Sequence, residues 1–442
     1  MKKRIANWGN YPVCDTDEKT FSFTEQLSDT LLQHDRIIAR GNGRCYGDAS
    51  LAKNTISTLK YDKILSFDKE QGIFECQSGL TLDKILEVII PQGWFLPVTP
   101  GTKFITVGGA VASDVHGKNH HVDGSFSNHI LEIDVLLADG SIVTCSSNNN
   151  SDLFWATCGG MGLTGIILRV KFRLKKIETS YIKQKQIKAN DLEDMLQLFE
   201  EYKHYTYSVA FLDLLKKGKS FGRGILAVGE HARLDDLNAK QKQKPLQLAS
   251  KSKLSIPFYL PSFVLNSITT KCLNFLYYHK NTKREINSVV PHDPFFYPLD
   301  AILHWNRGYG RNGFVQYQFV LPLENKQGLI EIIQKIGKKN LGAYLAVLKI
   351  FGDQDDLISF PKKGFTLALD IPVRKGLFEF LDEMDKIVLE NGGRIYMTKD
   401  ARMKPGMLKA GYAGYNDFIE IVKKYNPSFK FRSLQSDRLG IT

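Results

Sequence analysis

The chain has 442 residues, with 59 Lys and Arg against 47 Asp and Glu, a formal charge of +12, and 43% hydrophobic residues. That length and apolar content suit two or three packed domains and exclude a disordered or fibrous chain. The basic balance favours anionic partners, but Lys and Arg are dispersed, with modest clusters at Lys216 to Lys219 and Lys240 to Lys244. No basic helix, aromatic platform or zinc module accompanies them, so nucleic acid is not an expected partner.

The N-terminus, MKKRIANWGNYPVCD, has basic residues with no apolar run behind them, so no signal peptide is expected and the protein reads as soluble and cytoplasmic. The six cysteines, Cys14, Cys45, Cys76, Cys145, Cys158 and Cys272, form no CxxC pair and read as reduced thiols. Ile37 to Arg40 is a short buried strand ending in a glycine loop, RGNGRCYGD. A hairpin turning at Gly72 follows, then a helix capped by Thr81 with Ile85, Leu86, Val88 and Ile89 on one face. Beyond the central stretch, ILEIDVLLADGSIVTCS is a hairpin with Asp139 and Gly140 at its turn. DLFWATCGGMGLTGIILRVKFRLKKI is a third glycine patch feeding a long strand, so about 175 residues form one glycine-punctuated domain.

A second domain begins near residue 180, where amphipathic helices (NDLEDMLQLFEEY, NKQGLIEIIQKIGKKN, GLFEFLDEMDKIVLENGG) alternate with strands (YSVAFLDLL, FVQYQFVLPL, LAVLKIFG, FTLALDIPV). That texture suits an antiparallel sheet covered by helices. Lys240 to Lys253 reads as polar and mobile. Leu254 to Tyr278 is apolar but broken by Pro257, Pro261 and Lys271, short of the roughly 20 uninterrupted residues a membrane span needs. It reads either as core or as a flap touching lipid. The last 45 or so residues are expected to return to the first domain and close the site.

The central stretch, Thr99 to His129, packs five Gly and four His into 31 residues. Glycine lets backbone approach a ligand closely, so this stretch and RGNGRCYGD together read as a phosphate and ring-binding cradle. Gly41, Gly43, Gly47, Gly108 and Gly109 are candidate N–H donors to a pyrophosphate, with Arg40 and Arg44 as offsetting cations. Neither a Rossmann fingerprint nor a P-loop is present. The cluster Asp114, His116, Lys118, Asn119, His120 and His121 invites a metal reading, but His116 and His120 would need a helix and Gly117 with Asn119 argues for a loop. No metal is expected, and the alternative is a ring-binding loop whose His and Lys donate to a cofactor.

At PVTPGTKFITVGGAVASDVHGKNHHVDGSFSNH, RGNGRCYGD, DLFWATCGGMGLTGIILR, WNRGYGRNGFVQYQFVLP, YMTKDAR and FKFRSLQSDRL, the chain resembles the decaprenyl-phosphoryl ribose oxidase family, within the vanillyl-alcohol-oxidase superfamily of flavoproteins. The resemblance weakens only between about residues 215 and 290. It implies an α+β fold with a PCMH-type FAD-binding domain (1–178), an antiparallel-sheet substrate domain (179–393) and a C-terminal segment (394–442) returning to the first. The implied reaction is oxidation of the 2-hydroxyl of a polyprenyl-phosphoryl ribose, with hydride passing to flavin N5. A separate nicotinamide-dependent reductase then completes an epimerisation to arabinose; peripheral contact of a cytoplasmic protein with the inner membrane would agree with the basic surface and the broken apolar stretch. The alternatives are an alditol or aldonolactone oxidase and a flavin-binding scaffold without turnover.

Carried over residue by residue, the resemblance implies FAD contacts from Arg40, Gly41, Asn42, Gly43, Arg44, Cys45, Tyr46 and Gly47. It adds Gly101, Thr106, Val107, Gly108, Gly109, Ser113, His116, Gly117 and Asn119, with Gly165 and Tyr396. Lys399, Tyr46 and His116 stand at catalytic positions; Gln318, Lys349, Gln316 and Asp370 stand at substrate positions. Two departures matter. Ala368 stands where mycobacterial members carry the cysteine attacked by covalent inhibitors. Arg44 stands where alditol oxidases carry a flavin-linked histidine, so the FAD is expected to be dissociable.

Overall fold

The computed structural model describes residues 2–248, 254–261, 264–339, 346–354 and 356–442. Strands β1 (Lys2–Ala6), β2 (Val13–Thr20), β3 (Ile38–Arg40) and β4 (Asn54–Ser57) form a sheet in the order β1-β2-β4-β3, with β4 parallel to both neighbours. A second, antiparallel sheet combines β5 (Ile64–Asp68), β6 (Ile73–Gln77), β8 (Ile130–Leu136), β9 (Ile142–Cys145) and β10 (Ile166–Arg173) in the order β5-β6-β10-β8-β9, while β7 (Trp94–Phe95) pairs with β11 (Lys175–Lys176). Both hairpins turn where the sequence places them, with Gly72 and Gly140 at positive φ.

The largest sheet begins at β12 (Tyr181–Ala189) and includes β13 (Tyr207–Leu212) and β14 (Gly224–His231). A parallel pair, β15 (Leu254–Ser255) and β17 (Ile302–Leu303), lies apart, with β16 (Glu285–Pro291) between them in sequence. β18 (Phe314–Leu321), β19 (Ala346–Phe351), β20 (Gly364–Pro372) and β21 (Arg394–Ile395) complete an eight-stranded order, β16-β12-β14-β13-β19-β20-β18-β21. Helices Leu192–Glu201, Lys326–Lys339 and Leu377–Glu390 bury apolar stripes in the same core. That core also holds Ile38, Ala49, Leu163, Phe418 and Leu439, so apolar packing runs across the early, middle and late parts of the chain.

Three local expectations change. In the helix Leu82–Ile89 the buried residues are Leu82, Ile85, Leu86 and Ile89, and Val88 is exposed because it falls off that i, i+3, i+4, i+7 stripe. The run after Lys240, expected to be mobile, is anchored where described. Asn238 caps the turn Ala239–Lys242, and the carbonyls of Pro245 and Gln247 accept hydrogen bonds from Ser180; residues 249–253 lie outside the described residues. The segment from Arg394 first adds β21 to the edge of the large sheet and only then crosses to the N-terminal region, where Ile37 N donates to Lys430 O and Arg432 N to Ile37 O.

Candidate active site

A cavity of about 2040 Å³, counted out to its solvent mouth, lies between the glycine loops and one face of the large sheet. Register builds that face. Gln316 sits opposite Asp370 and Gln318 opposite Ala368; Ala368 in turn faces Val347, which faces Phe211. Because side chains alternate along a strand, Gln316, Gln318, Val347, Lys349, Ala368 and Asp370 share one side, and all six line the cavity.

The opposite wall is the glycine cradle. A Cβ on Gly41 would meet Thr106 Oγ1 at 2.3 Å, so only glycine fits there, and Gly43 adopts φ +59°. The backbone N–H groups of Asn42, Gly43, Arg44 and Cys45 make no hydrogen bond within the chain among the described residues. They remain available to an anion. The second glycine pair behaves otherwise. Val107–Ala112 is a short helix, and the N–H groups of Val107, Gly108 and Gly109 are taken by Leu80 O, Ser78 O and Thr106 Oγ1. Gly108 and Gly109 therefore offer a flat surface for close approach rather than donors.

Most of the expected residues reach the cavity wall, including Gly101, Thr106, Ser113, Gly117, Gly165 and Tyr396; Arg40, Gly47, Val107 and Asn119 do not. Arg40 turns away to Asn7, Ser50 and Ala6 O, bracing the loop beneath Gly43. Gly47 packs on the carbonyl of Asp400, Val107 is fully buried, and Asn119 bonds Pro97 O and Asp123. Arg44 lines the wall with its guanidinium 4.0 Å from the Trp8 ring centroid. The other histidines of the central stretch point elsewhere: His120 to Gln354, His121 to Tyr205 O and His129 to Asp123 O. Between His116 and His120 the chain is the loop that Gly117 and Asn119 suggest, and a single helical turn, His120–Asp123, follows it.

The polar groups facing the cavity are tuned by burial. Lys399 Nζ lies 4.1 Å from the Tyr46 ring centroid, and burial pushes its ammonium down to about 8 against the pull of Asp370. Asp370 is pushed up to about 7 by burial; Gln316 donates to its Oδ1 at 2.5 Å and Lys399 offsets part of the rise. Its Oδ2 is buried without a partner. Burial also holds the Tyr46 phenol well above its usual range and the His116 imidazole well below its own. The Thr366 hydroxyl gives its hydrogen to Phe319 O, so it accepts from the Gln318 amide, 3.2 Å away. The same NH₂ group lies 3.1 Å from His116 Nε2, which makes His116 Nε2 the acceptor. The other side of the Gln318 amide, its carbonyl oxygen, makes no hydrogen bond within the chain among the described residues.

Three features take roles that sequence reasoning did not assign, although Asp114 and Lys118 stand in the cluster it singled out. Asp114, fully buried at φ +36°, gathers Ser125, Ser127, Ser359 and Gln354 and pins the segment after β19 beside His116. Lys118 is a cavity-lining lysine buried against the Phe295 and Phe296 rings. Arg438 grips Asp48 through Nε and Nη2 and also donates to Asp400, so it ties the loop after Tyr46 to the loop after Lys399. Only the long-range partners reveal such roles, and a single sequence does not show them.

Residues 27–146 match the FAD binding domain family model. The chain is 36% identical over 413 residues to the decaprenylphosphoryl-beta-D-ribose oxidase of Mycolicibacterium smegmatis (strain ATCC 700084 / mc(2)155), covering 92% of this chain and 89% of that protein. An uncharacterized protein of Streptomyces coelicolor is 33% identical over 82% of this chain and 100% of its own length. A Homo sapiens delta(24)-sterol reductase matches at 31% over 25% of this chain and 22% of its length. The unbonded N–H groups of the first loop and the glycine surfaces fit a dinucleotide, and the cofactor is FAD. The chain therefore belongs to the decaprenylphosphoryl-β-D-ribose oxidase family of FAD-dependent oxidoreductases.

Proposed function

We propose that this oxidoreductase oxidises the 2-hydroxyl of a ribose carried on a polyprenyl phosphate, giving the 2-keto sugar as the first half of an epimerisation to arabinose. The supporting observation is the meeting of Lys399, Tyr46, Asp370 and Gln318 on one cavity with the glycine cradle. FAD, when bound, supplies the acceptor for the hydride leaving the sugar carbon. The hydroxyl proton goes to Asp370 Oδ2, buried without a partner and titrating near neutrality. Gln316 fixes the other carboxylate oxygen, and the Lys399 cation opposes the negative charge that develops as the hydroxyl is deprotonated. Tyr46 stays protonated and donates, while neutral His116 orients Gln318 so that its carbonyl receives a sugar hydroxyl. In this reading residues 1–178 and 394–442 serve the cofactor and 179–393 the sugar, except that β21 belongs to the large sheet.

FAD is held without a covalent bond, because Arg44 has no nucleophile and is engaged on Trp8. Denaturing the yellow protein in guanidinium and filtering it is therefore expected to release all of the flavin; flavin retained with the chain would sink this point. The product passes to a nicotinamide-dependent reductase, and the enzyme works at the cytoplasmic side of the inner membrane. Among the described residues no helix is long and apolar enough to cross a membrane. The function is tested by mixing the holoprotein anaerobically with farnesylphosphoryl ribose and following flavin absorbance. Bleaching is expected; bleaching only by a free alditol or aldonolactone would replace the substrate, and none with either would favour a scaffold.

A further inference from the structure

Lys118 and Lys349 both line the cavity, and neither has a carboxylate within salt-bridge distance among the described residues. Their placement is fixed by backbone. Lys118 O accepts from Ser208 N of β13, and Val209, the next residue of β13, lines the cavity beside Lys349 of the neighbouring strand β19. Lys118 Nζ donates to Phe295 O and packs 4.5 Å from the Phe295 ring centroid. The Lys349 ammonium makes no hydrogen bond within the chain among the described residues. Both are half-buried on the cavity wall, and a cation drawn into such a wall without a counterion is expensive unless a ligand supplies the charge.

From this pair an apolar path leads outward. Val209, Phe211 and Val347 continue the cavity wall on the same sheet face. Phe211 packs with its ring tilted, 4.9 Å between centroids, against Tyr277 of the helix Ser267–His279, whose outer side exposes Ile268, Leu273, Phe275 and Leu276. Lys280 sits 3.9 Å from the Tyr277 ring centroid.

We propose that Lys118 and Lys349 seat the phosphodiester of the lipid-linked sugar, and that its prenyl chain leaves over Phe211 and Tyr277 along the exposed face of that helix. This rests on the polyprenyl-phosphoryl reading above and assigns that substrate's charged group and tail to named residues. Burial pushes Lys118 down to about 7 and Lys349 down to about 8, each further lowered by a neighbouring lysine. The other titratable groups facing the pair are His116, His120 and Lys399, with Asp370 beyond. An anion between the two amines favours their charged forms, so its binding at about pH 8 draws protons from solvent.

The test uses the holoprotein and three probes that carry no sugar: farnesyl phosphate, inorganic phosphate and farnesol, followed by flavin spectral shift and calorimetry. Farnesyl phosphate is expected to bind more tightly than inorganic phosphate, with proton uptake read from heats in two non-phosphate buffers. Lys118→Gln and Lys349→Gln should each weaken it by about tenfold or more, the scale of a lost charged hydrogen bond, and leave farnesol unchanged. Lys118→Arg should retain it, and Tyr277→Ser should weaken farnesyl phosphate but not inorganic phosphate. Unchanged farnesyl phosphate binding in both glutamine variants, or equal loss of farnesol, overturns the phosphate seat; indifference to Tyr277→Ser overturns the tail path. If one variant fails to load flavin, the other reads the same outcome. Binding that persists where farnesylphosphoryl ribose fails to bleach the flavin would sink the ribose oxidation and leave the seat standing.

Discussion

Lys399→Ala is expected to load FAD and melt close to the parent while its flavin is reduced about 10²- to 10³-fold more slowly, the usual loss when one preorganised charge is removed. The lysine is buried against Tyr46 and carries no salt bridge within 4.0 Å among the described residues, so its deletion removes a cation without stranding a partner at contact distance. The effect on pH identifies the cause. Asp370 and Lys399 interact, so the parent's rate of reduction should follow a bell whose limbs, near 7 and 8, belong to the pair. The acidic limb reports loss of the base as pH falls; the alkaline limb reports loss of the cation as pH rises. Removing Lys399 takes away the charge that lowers Asp370, so the acidic limb should move to higher pH and the alkaline limb should vanish. Stopped-flow reduction across pH 5 to 10 measures both. A variant with parental rates, or an unmoved acidic limb, takes Lys399 out of the chemistry.

Arg438→Ala should be the most damaging change outside the cavity. Its guanidinium spans Asp48 and Asp400, both almost fully buried, and donates to Met403 O at 2.6 Å. Burial pushes the Asp48 carboxyl up, and Arg438 offsets part of the rise. Deleting the cation leaves buried carboxylates unmatched, a loss of about 3 kcal/mol or more for a broken buried pair. A lower urea midpoint and low flavin occupancy are expected together, because Asp48 follows Gly47 of the cradle and Asp400 follows Lys399. Arg438→Lys should recover only part, since an ammonium does not grip a carboxylate with two nitrogens. Parental stability with full flavin in Arg438→Ala would show that the tie is ornamental.

What was readable in the chain followed from local chemistry. Asp139 with Gly140 reads as a turn because that backbone needs positive φ, and a lysine such as Lys349 inside an apolar strand already points to a cavity. The flavin loop at RGNGRCYGD was legible through its glycines. The distribution of work within the cradle was not. Gly108 and Gly41 look alike in sequence, but the N–H of Gly108 is consumed by Ser78 O, a partner set by tertiary contact. Val88 misleads for the same reason, apolar yet exposed, and Lys118 is drawn onto the cavity wall by the Phe295 and Phe296 rings, which only the tertiary fold brings there. The Asp48 to Arg438 pair spans 390 positions, beyond the reach of any periodicity.

That span sets an order on biosynthesis. Asp48 leaves the ribosome 390 residues before its counterion, so at about 5 to 20 residues per second the nascent cradle waits some 20 to 80 s for its tie. Throughout that interval the Asp48 carboxylate lacks the guanidinium that grips it in the finished fold. A chain cut short before Arg438 never acquires that tie, so it is expected to load cofactor as poorly as Arg438→Ala does.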